Sequence, residues 1–547
     1  MEQTARGQSR MGLVVAASAA GTVFEWYDFF IFGSLAAIIA KHFFSGVGEA
    51  QAYLLALLTF AAGFIARPFG AVVFGWFGDR TGRKRTFLVT ISVMGLATFA
   101  VAFLPDYARI GVSAPFILVA VRVLQGFAIG GEYGGAAIYV AEHASARARG
   151  SATGWIQTAA GIGLLLALLV ILAVRTSMGE NTFSDWGWRI PFALSAILLL
   201  ISLWIRLKLE ESPAFRRITE EGVKSKAPLK DAFLNRRNLK IVIVALFGIL
   251  TSQGVVWYTA QFYTQFFLER ITKVEPATVD FLIMIVTVAS LPLYMFFAWL
   301  SDRIGRKPVM LLGLAMAAIG FIPGFEMLNA AANPAMAQAS ANAPVVVAAA
   351  PSDCSVQFHL IGKAKQLTSC DIAKAALVDE GIGYRNEAAP PGTQAEVRIA
   401  GAIVASPDGR GLSADTRAAA EKEFSAKLKA ALAKAGYPGD AAPGGIDYAR
   451  VLLVLLYLIV AATALYGPQA ASLVELFPTR IRYTALSVPY HVGVGWFGGI
   501  LPATAFAITA ATGNLYAGLW YPVIVSAVGF FVTLFFLPET YRRAPED

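Results

Sequence analysis

Gly75 to Arg85 reads G-W-F-G-D-R-T-G-R-K-R. The stretch ends one long apolar run and begins the next, and it gathers Asp79, Arg80, Arg83, Lys84 and Arg85 around Gly78 and Gly82. Such a density of charge is excluded from hydrocarbon, so these residues form a turn at a membrane surface. The phrase returns as A-W-L-S-D-R-I-G-R-K at Ala298–Lys307. There Asp302, Arg303, Gly305, Arg306 and Lys307 follow Asp79, Arg80, Gly82, Arg83 and Lys84 by a constant 223 positions. A charged turn repeated in register between apolar runs implies a chain built from two similar halves.

Composition agrees. Of 547 residues, 57% are hydrophobic and only 15% charged, and apolar runs of about 18 residues or more recur along the chain, which excludes a large soluble protein. The start, with Arg6 and Arg10, runs into an apolar stretch that carries Glu25 and Asp28; this reads as a first spanning helix rather than a cleaved signal. A formal charge of +9 would suggest nucleic acid in a soluble chain. Here the basic residues sort by side of the membrane, and no nucleic-acid partner is implied.

Outward from the turn, apolar segments cover Met11–Ala40, Tyr53–Phe77, Phe87–Leu104, Phe116–Val140, Ser151–Val174 and Ile190–Trp204. After a basic stretch they resume at Ile241–Leu268, Phe281–Leu300, Met310–Ile322, Val451–Val474, Ala485–Ala510 and Leu515–Leu537. The expected fold is an all-α membrane protein of twelve transmembrane helices in two pseudo-symmetric six-helix bundles. Residues 11–205 form the first bundle, 206–240 a cytoplasmic linker, and 241–327 with 447–540 the second. With both termini cytoplasmic, that side holds 25 Lys and Arg, against Lys41, Arg109, Arg175, Arg189, Arg270 and Lys273 in the short opposite loops. The bias sets the orientation, in a cell inner membrane.

The repeat also exposes an insertion. Glu475, Arg480 and Arg482 follow Glu142, Arg147 and Arg149 by 333 positions rather than 223, so 110 residues were added between Lys307 and Glu475. The addition occupies 328–446 and faces the periplasm. Ala- and Pro-rich sequence opens it and G-Y-P-G-D-A-A-P-G-G closes it, which read as flexible linkers. Strand-like Ser355–Ile361 and Ala395–Ala405 and helix-like Asp371–Val378 and Ser413–Ala435 predict a small α/β unit. Both cysteines, Cys354 and Cys370, lie there, where an oxidising compartment favours a disulfide over two free thiols. His359 is the one histidine nearby and the spacing fits no metal site. No cofactor is implied.

Several motifs carry a resemblance. G-T-V-F-E-W-Y-D-F at Gly21–Phe29, R-P-F-G at Arg67–Gly70, V-L-Q-G-F-A-I-G-G-E-Y-G-G at Val123–Gly135, W-G-W-R-I-P-F at Trp186–Phe192 and L-E-E-S-P-A-F at Leu209–Phe215 join the doubled turn. Together they resemble the major facilitator superfamily and, within it, the metabolite:proton symporter family, which includes proline/betaine, α-ketoglutarate and shikimate permeases. The likeness covers everything outside the insert. It implies transport, not enzymatic catalysis, and it ties the charged turn to conformational switching. Gly75, Asp79, Arg80, Gly82, Arg83, Asp302, Arg303 and Arg306 are accordingly assigned to gating.

Charges inside the bilayer need a partner or a function. Glu25 and Asp28 lie one turn apart on the first helix, Arg67 on the second, and Arg122 and Glu132 on the fourth. Three carboxylates face two arginines, so one carboxylate must be neutral for part of a cycle, as proton coupling requires. The competing reading is that all five merely pin helices together. Glu25, Asp28 and Glu132 are the expected proton-coupling residues. Arg67, Arg122, Tyr133 and Gln157 are expected to bind substrate. In the second half no charges match that depth, but Gln253, Trp257, Tyr258 and Gln261 recur at three- and four-residue spacing and suggest one polar, aromatic face. Tyr490 and His491 join them as candidates, although a lone buried histidine more often satisfies an interhelical hydrogen bond. Gly126, Gly130 and Gly134 read as helix packing.

The expected partners are protons and a small organic acid or zwitterion, imported by a monomer surrounded by lipid. Two alternatives stay open. A proton-driven exporter is disfavoured because Gly154–Val174 has no proline, and a sensor working through its insert is disfavoured because the insert carries no catalytic constellation.

Overall fold

The structure, a computed structural model, describes residues 2–47, 49–207, 217, 219–221, 227–355 and 367–541. Leu209–Phe215, Arg542, Arg543 and most of the strand expected over Ser355–Ile361 lie outside them, as do the side chains of Arg83 and Tyr133. Among the described residues eleven helices are long and apolar enough to span a bilayer, and one bent pair supplies the twelfth.

Helix 1 runs over Glu2–Ser34 and, after a 60° bend, Ala36–Phe43. The bend follows Gly33–Ser34, a pair that weakens helical continuity. Helices 2, 3, 5 and 6 are Glu49–Thr81, Arg83–Val101, Arg149–Met178 and Arg189–Leu207, and helix 4 is broken into Ser113–Ile129 and Tyr133–His143. Helix 7 spans Arg236–Ile271, followed by Pro276–Ile304 and Arg306–Ala332 as helices 8 and 9. Helices 10, 11 and 12 are Tyr448–Leu476, Arg482–Thr512 and Ala517–Phe536.

The two charged turns are geometrically equivalent. Gly82 has φ 112 and ψ 159, and Gly305 has φ 107 and ψ 159, each directly before the next helix. Only glycine adopts that backbone without strain. One residue into helix 3, Lys84 Nζ donates to the Leu207 carbonyl at 2.9 Å, and Lys307 Nζ likewise donates to Leu534 O at 2.8 Å. Each lysine thereby satisfies an orphan carbonyl at the end of the sixth helix of its own half.

Small residues set the packing of helices 2 and 4. A Cβ on Gly126 would lie 1.8 Å from Gly63 O, and one on Gly130 would lie 2.2 Å from Arg67 O. Gly134 instead meets Ser487 of helix 11, so the four-residue glycine stripe packs against both halves.

The insert between helices 9 and 10 is a four-stranded sheet ordered β2-β1-β3-β4. β1 (Val345–Ala349) is parallel to β2 (Tyr384–Ala388) and antiparallel to β3 (Glu396–Ile399), which forms a hairpin with β4 (Ala402–Ala405). Helices Ser369–Asp379 and Ala414–Lys434 complete it, and Cys354 and Cys370 are disulfide-bonded. β1 and β2 escaped sequence reading, because an alternating pattern is absent from V-V-V-A-A and from the mostly polar Y-R-N-E-A.

The opening of the insert is helical rather than a flexible linker. Helix 9 continues to Ala332, and Asn333 caps a further helix over Pro334–Asn342 by accepting from Met336 N. Alanine-rich sequence is strongly helix-forming, and the proline sits at the first helical position, where it is tolerated. The two ends of the insert meet, with Asp447 N donating to Ala331 O at 2.9 Å.

Candidate functional site

Six buried charges from helices 1, 2, 4 and 6 build the site. Glu25, Asp28, Arg67, Arg122 and Glu132 are all buried, and Glu25 lies within electrostatic reach of Glu132, Arg67 and Asp28. The sixth is Arg206, also buried, whose Nη1 is ion-paired with Glu132 Oε1. Sequence reading placed Arg206 in the cytoplasmic linker and counted three acids against two arginines. The count is three against three, and the inference from a surplus carboxylate falls.

A signal for Arg206 was present. Phe192, Ser195, Leu199, Ser202 and Arg206 are buried along helix 6, and their spacing of three and four residues traces one helical face. That face continues past Trp204, where hydropathy alone ends the helix, and its last members are Ser202 and Arg206.

Local chain breaks place the acids. Glu132 lies at the interruption between the two segments of helix 4, preceding Tyr133, whereas the apolar pattern there reads as one continuous helix. Thr90 Oγ1 donates to Glu132 Oε2 at 3.3 Å, and the Tyr483 hydroxyl donates to the adjacent Gly131 carbonyl. Asp28 meets Thr98. Thr98 in turn accepts from Gln125 Nε2 at 2.9 Å, and Gln125 Oε1 accepts from Arg122 Nη1 at 2.6 Å. Thr90, Thr98 and Gln125 were not singled out from sequence.

Arg67 and Arg122 differ from Arg206. Neither has a carboxylate within 4.0 Å among the described residues, and Nε and Nη2 of both are buried without a hydrogen-bond partner. Each lies on aromatic rings instead. Arg67 Cζ is 4.3 Å from the Phe29 ring centre and 4.2 Å from Phe64, and Arg122 Cζ is 4.3 Å from Phe32. Cation–π contact offsets part of the desolvation of a guanidinium but leaves Nε and Nη2 of each without an acceptor.

The second half closes over this cluster. Tyr258 faces Arg67 and packs on Phe64 at 5.2 Å. The His491 ring lies by Arg67 and the Gly130 backbone, and Tyr490 reaches Tyr466 at 3.5 Å. Trp257 stacks on Phe30 at 5.8 Å, while its Nε1 donates to Tyr294 Oη at 2.8 Å. Gln157, Gln253 and Gln261 are buried as well. Gln253, Trp257 and Tyr258 share the α-helical stretch Thr251–Tyr258, with the Trp257 and Tyr258 rings 5.1 Å apart, whereas Gln261 lies in the π-helical turn Thr259–Tyr263, which shifts its register against the other three. Trp257 turns toward helices 1 and 8, and Tyr258 toward helix 2.

At the end of the bundles that holds the charged turns, the halves are tied by a crossed pair of contacts. Asp79 Oδ2 accepts from Thr484 N at 3.1 Å and Oγ1 at 2.7 Å, capping the start of helix 11. Asp302 accepts from Gly150 N at 2.9 Å and from Ser151 N and Oγ at 2.7 Å, capping the start of helix 5. Arg482 pairs with Glu142 at 2.9 Å and Arg149 with Glu475 at 3.1 Å. Each half thus donates to the other what it receives. Arg306 joins Asp302 and Glu475, and Gly75 sits against Thr484. Arg80 and Arg303 stand apart from these contacts: both are exposed and stack on Trp76 and Trp299 of their own helices.

The sugar (and other) transporter family profile matches residues 13–242 and 430–547, and an MFS/sugar transport protein profile matches 136–350. The chain belongs to the sugar (and other) transporter family of the major facilitator superfamily. It is a multi-pass membrane transporter and not an enzyme. The transporter is 36% identical to the shikimate transporter of Escherichia coli (strain K12) over 59% of its own length and 74% of that protein. It is 32% identical to the proline/betaine transporter of the same strain, over 58% and 64% of the two chains. The glycine betaine/proline/ectoine/pipecolic acid transporter OusA of Dickeya dadantii (strain 3937) is 26% identical across 98% of this chain and 84% of its own. Among solved structures, the proton:xylose symporter XylE bound to 6-bromo-6-deoxy-D-glucose superposes with TM-score 0.65 over 98% of both chains at 17% identity, a likeness of fold.

Proposed function

We propose that this transporter is a proton-coupled symporter that imports a small organic acid or zwitterion across a cell inner membrane by alternating access. The observation that carries this reading is the pair of buried arginines without carboxylate partners. A guanidinium deep in a membrane costs about 3 kcal/mol or more, and each of these holds unused donors aimed among aromatic rings. A substrate carboxylate would take those donors, with its apolar or cationic part against Phe29, Phe64 and Tyr258. The relatives that carry shikimate, proline and betaines support that substrate class.

Charge balance supplies the coupling. Glu132 and Arg206 cancel, leaving Glu25 and Asp28 against Arg67 and Arg122. A substrate carboxylate, from an acid or a zwitterion, takes up the arginines' positive charge and leaves Glu25 and Asp28 less well offset, which favours a proton on one of them. Proton and anion therefore favour each other's binding. The end bearing the charged turns, rich in lysine and arginine, is assigned to the cytoplasm, with the insert in the periplasm and the crossed contacts as the inner gate.

A thermal-shift series of the purified protein with shikimate, proline and glycine betaine tests the substrate class. Stabilisation by at least one, lost in Arg67→Gln, is expected. No stabilisation by any carboxylate, with stabilisation by an uncharged sugar, would overturn it.

A further inference from the structure

Arg206 has no assigned role, yet it is placed with great specificity. It lies on the last turn of helix 6, one residue before Leu207, and its guanidinium is buried between three helices of the first half. Its Cζ is 4.9 Å from the centre of the Phe87 ring on helix 3. Its Nη2 reaches helix 1, where a Cβ on Gly21 would lie 2.5 Å from it. A side chain at position 21 would displace the guanidinium from this place, and Gly21 is one helical turn before Glu25. On its third side it is ion-paired with Glu132.

These contacts divide the three acids into two kinds. Glu132 is tied to Arg206 and accepts from Thr90 at 3.3 Å, so its negative charge is answered from two sides. Glu25 lies within electrostatic reach of Arg206 and Arg67 as well as of Glu132 and Asp28, but it has no ion-pair partner within 4.0 Å among the described residues, and its Oε2 is buried with no hydrogen-bond donor. Asp28 also has an oxygen, Oδ1, without a donor, but it lies against Thr98. A carboxylate held by a guanidinium keeps its charge, whereas one with an unsolvated oxygen in a buried site gains most from a proton.

We propose that Arg206 is a positioning residue that fixes Glu132 as a permanent carboxylate, so that Glu132 acts as a counter-ion and the exchanged proton resides on Glu25. Arg206 acts through Glu132 and touches no substrate. Its location at the foot of helix 6 also joins helices 1, 3, 4 and 6 at one point, so the pair holds the proton-accepting helix in register with the rest of its half. The inference rests on the proton-symport reading above and sharpens it, because that reading leaves the proton on either Glu25 or Asp28 and gives Arg206 no part in deciding where it resides.

The two roles for Glu132 separate in a charge-neutralisation cycle. The protein, reconstituted in liposomes with an imposed proton gradient, is assayed with whichever of proline, glycine betaine and shikimate the unmodified protein accumulates. Glu132→Gln and Arg206→Gln each leave one buried charge unanswered, and each is expected to lower accumulation about tenfold or more. The double variant Glu132→Gln/Arg206→Gln removes both charges, and accumulation is expected to recover to within about threefold of the unmodified protein, a strong positive coupling between the sites. Arg206→Lys, which retains the charge, recovers part of it. Glu25→Gln loses accumulation and is not recovered by Arg206→Gln, but it retains exchange of labelled for unlabelled substrate, which needs no net proton movement.

Loss of accumulation in the double variant, with exchange intact, would overturn the proposal by making Glu132 a proton carrier. Loss of both in the double variant, with the protein still stabilised by substrate in a thermal shift, would overturn it as well, by placing the pair in the transport cycle itself. If the unmodified protein moves substrate without protons, the symport reading fails first, and the cycle shows the two failures apart.

Discussion

At the scale of single residues, the buried charges differ in whether they are answered. Arg206 answers Glu132, and Arg67 and Arg122 rest on rings with donors to spare. Loss of a charge-assisted hydrogen bond costs about 1.5–3 kcal/mol. Arg67→Gln is therefore expected to raise the substrate concentration for half-maximal uptake by roughly ten- to a hundredfold, with protein yield unchanged. An unaltered half-saturation would remove Arg67 from the substrate site. Five of the six charges were legible in the sequence, because an ionisable residue inside an apolar run is conspicuous. Arg206 was not, since an arginine at the boundary of such a run reads as a loop residue, and only its helical phase with Ser195, Leu199 and Ser202 marks it as inward-facing.

At the scale of elements, two departures from regular helix mark the site: the break at Gly130–Glu132 holds Glu132 itself, and the π segment His491–Gly498 in helix 11 lies against Arg67 through His491 and Gly495. Neither was legible, because hydropathy continues smoothly across each. The insert shows the same limit. Its alanine-rich opening lacks turn chemistry and forms helix, and the unit is docked rather than tethered. Tyr384 N donates to Gly513 O at 2.8 Å, Asn386 Nδ2 to Thr512 O at 3.0 Å, and Lys273 Nζ to the Asp379 carbonyl. Helix 7 and the turn after helix 11 are thereby fastened to one body. The Cys354–Cys370 bond closes a loop with a sequence separation of 16, for which chain-entropy reasoning gives about 3 kcal/mol. Replacing both cysteines with serine should lower the unfolding temperature of the insert and leave uptake in place. Equal stability of the two forms, reduced and oxidised, would argue against the bond's stabilising role.

At the scale of the whole molecule, duplication is both the feature most readily seen in the sequence and the one that organises the contacts. The repeated turn announced two halves, and its two glycines and two lysines occupy equivalent positions. What the repeat did not announce is that the halves exchange partners: Glu142 with Arg482, and Glu475 with Arg149. Asp302 caps helix 5 from the opposite half through three hydrogen bonds. Weakening that cap in Asp302→Asn by about 1–3 kcal/mol should shift the closed-to-open ratio at this end by roughly 5- to 150-fold. Faster thiol labelling of a cysteine placed at Gly75 is the readout, and an unchanged rate would deny the contact a gating role. The central claim is that a substrate carboxylate and a proton on Glu25 enter one charge-balanced cluster together. Simultaneous recording of internal pH and labelled-substrate uptake in proteoliposomes tests it most directly. The account predicts that adding substrate acidifies the lumen for the unmodified protein, and that Glu25→Gln abolishes both the acidification and accumulation against a gradient while retaining exchange. Acidification that persists with substrate in Glu25→Gln would contradict it.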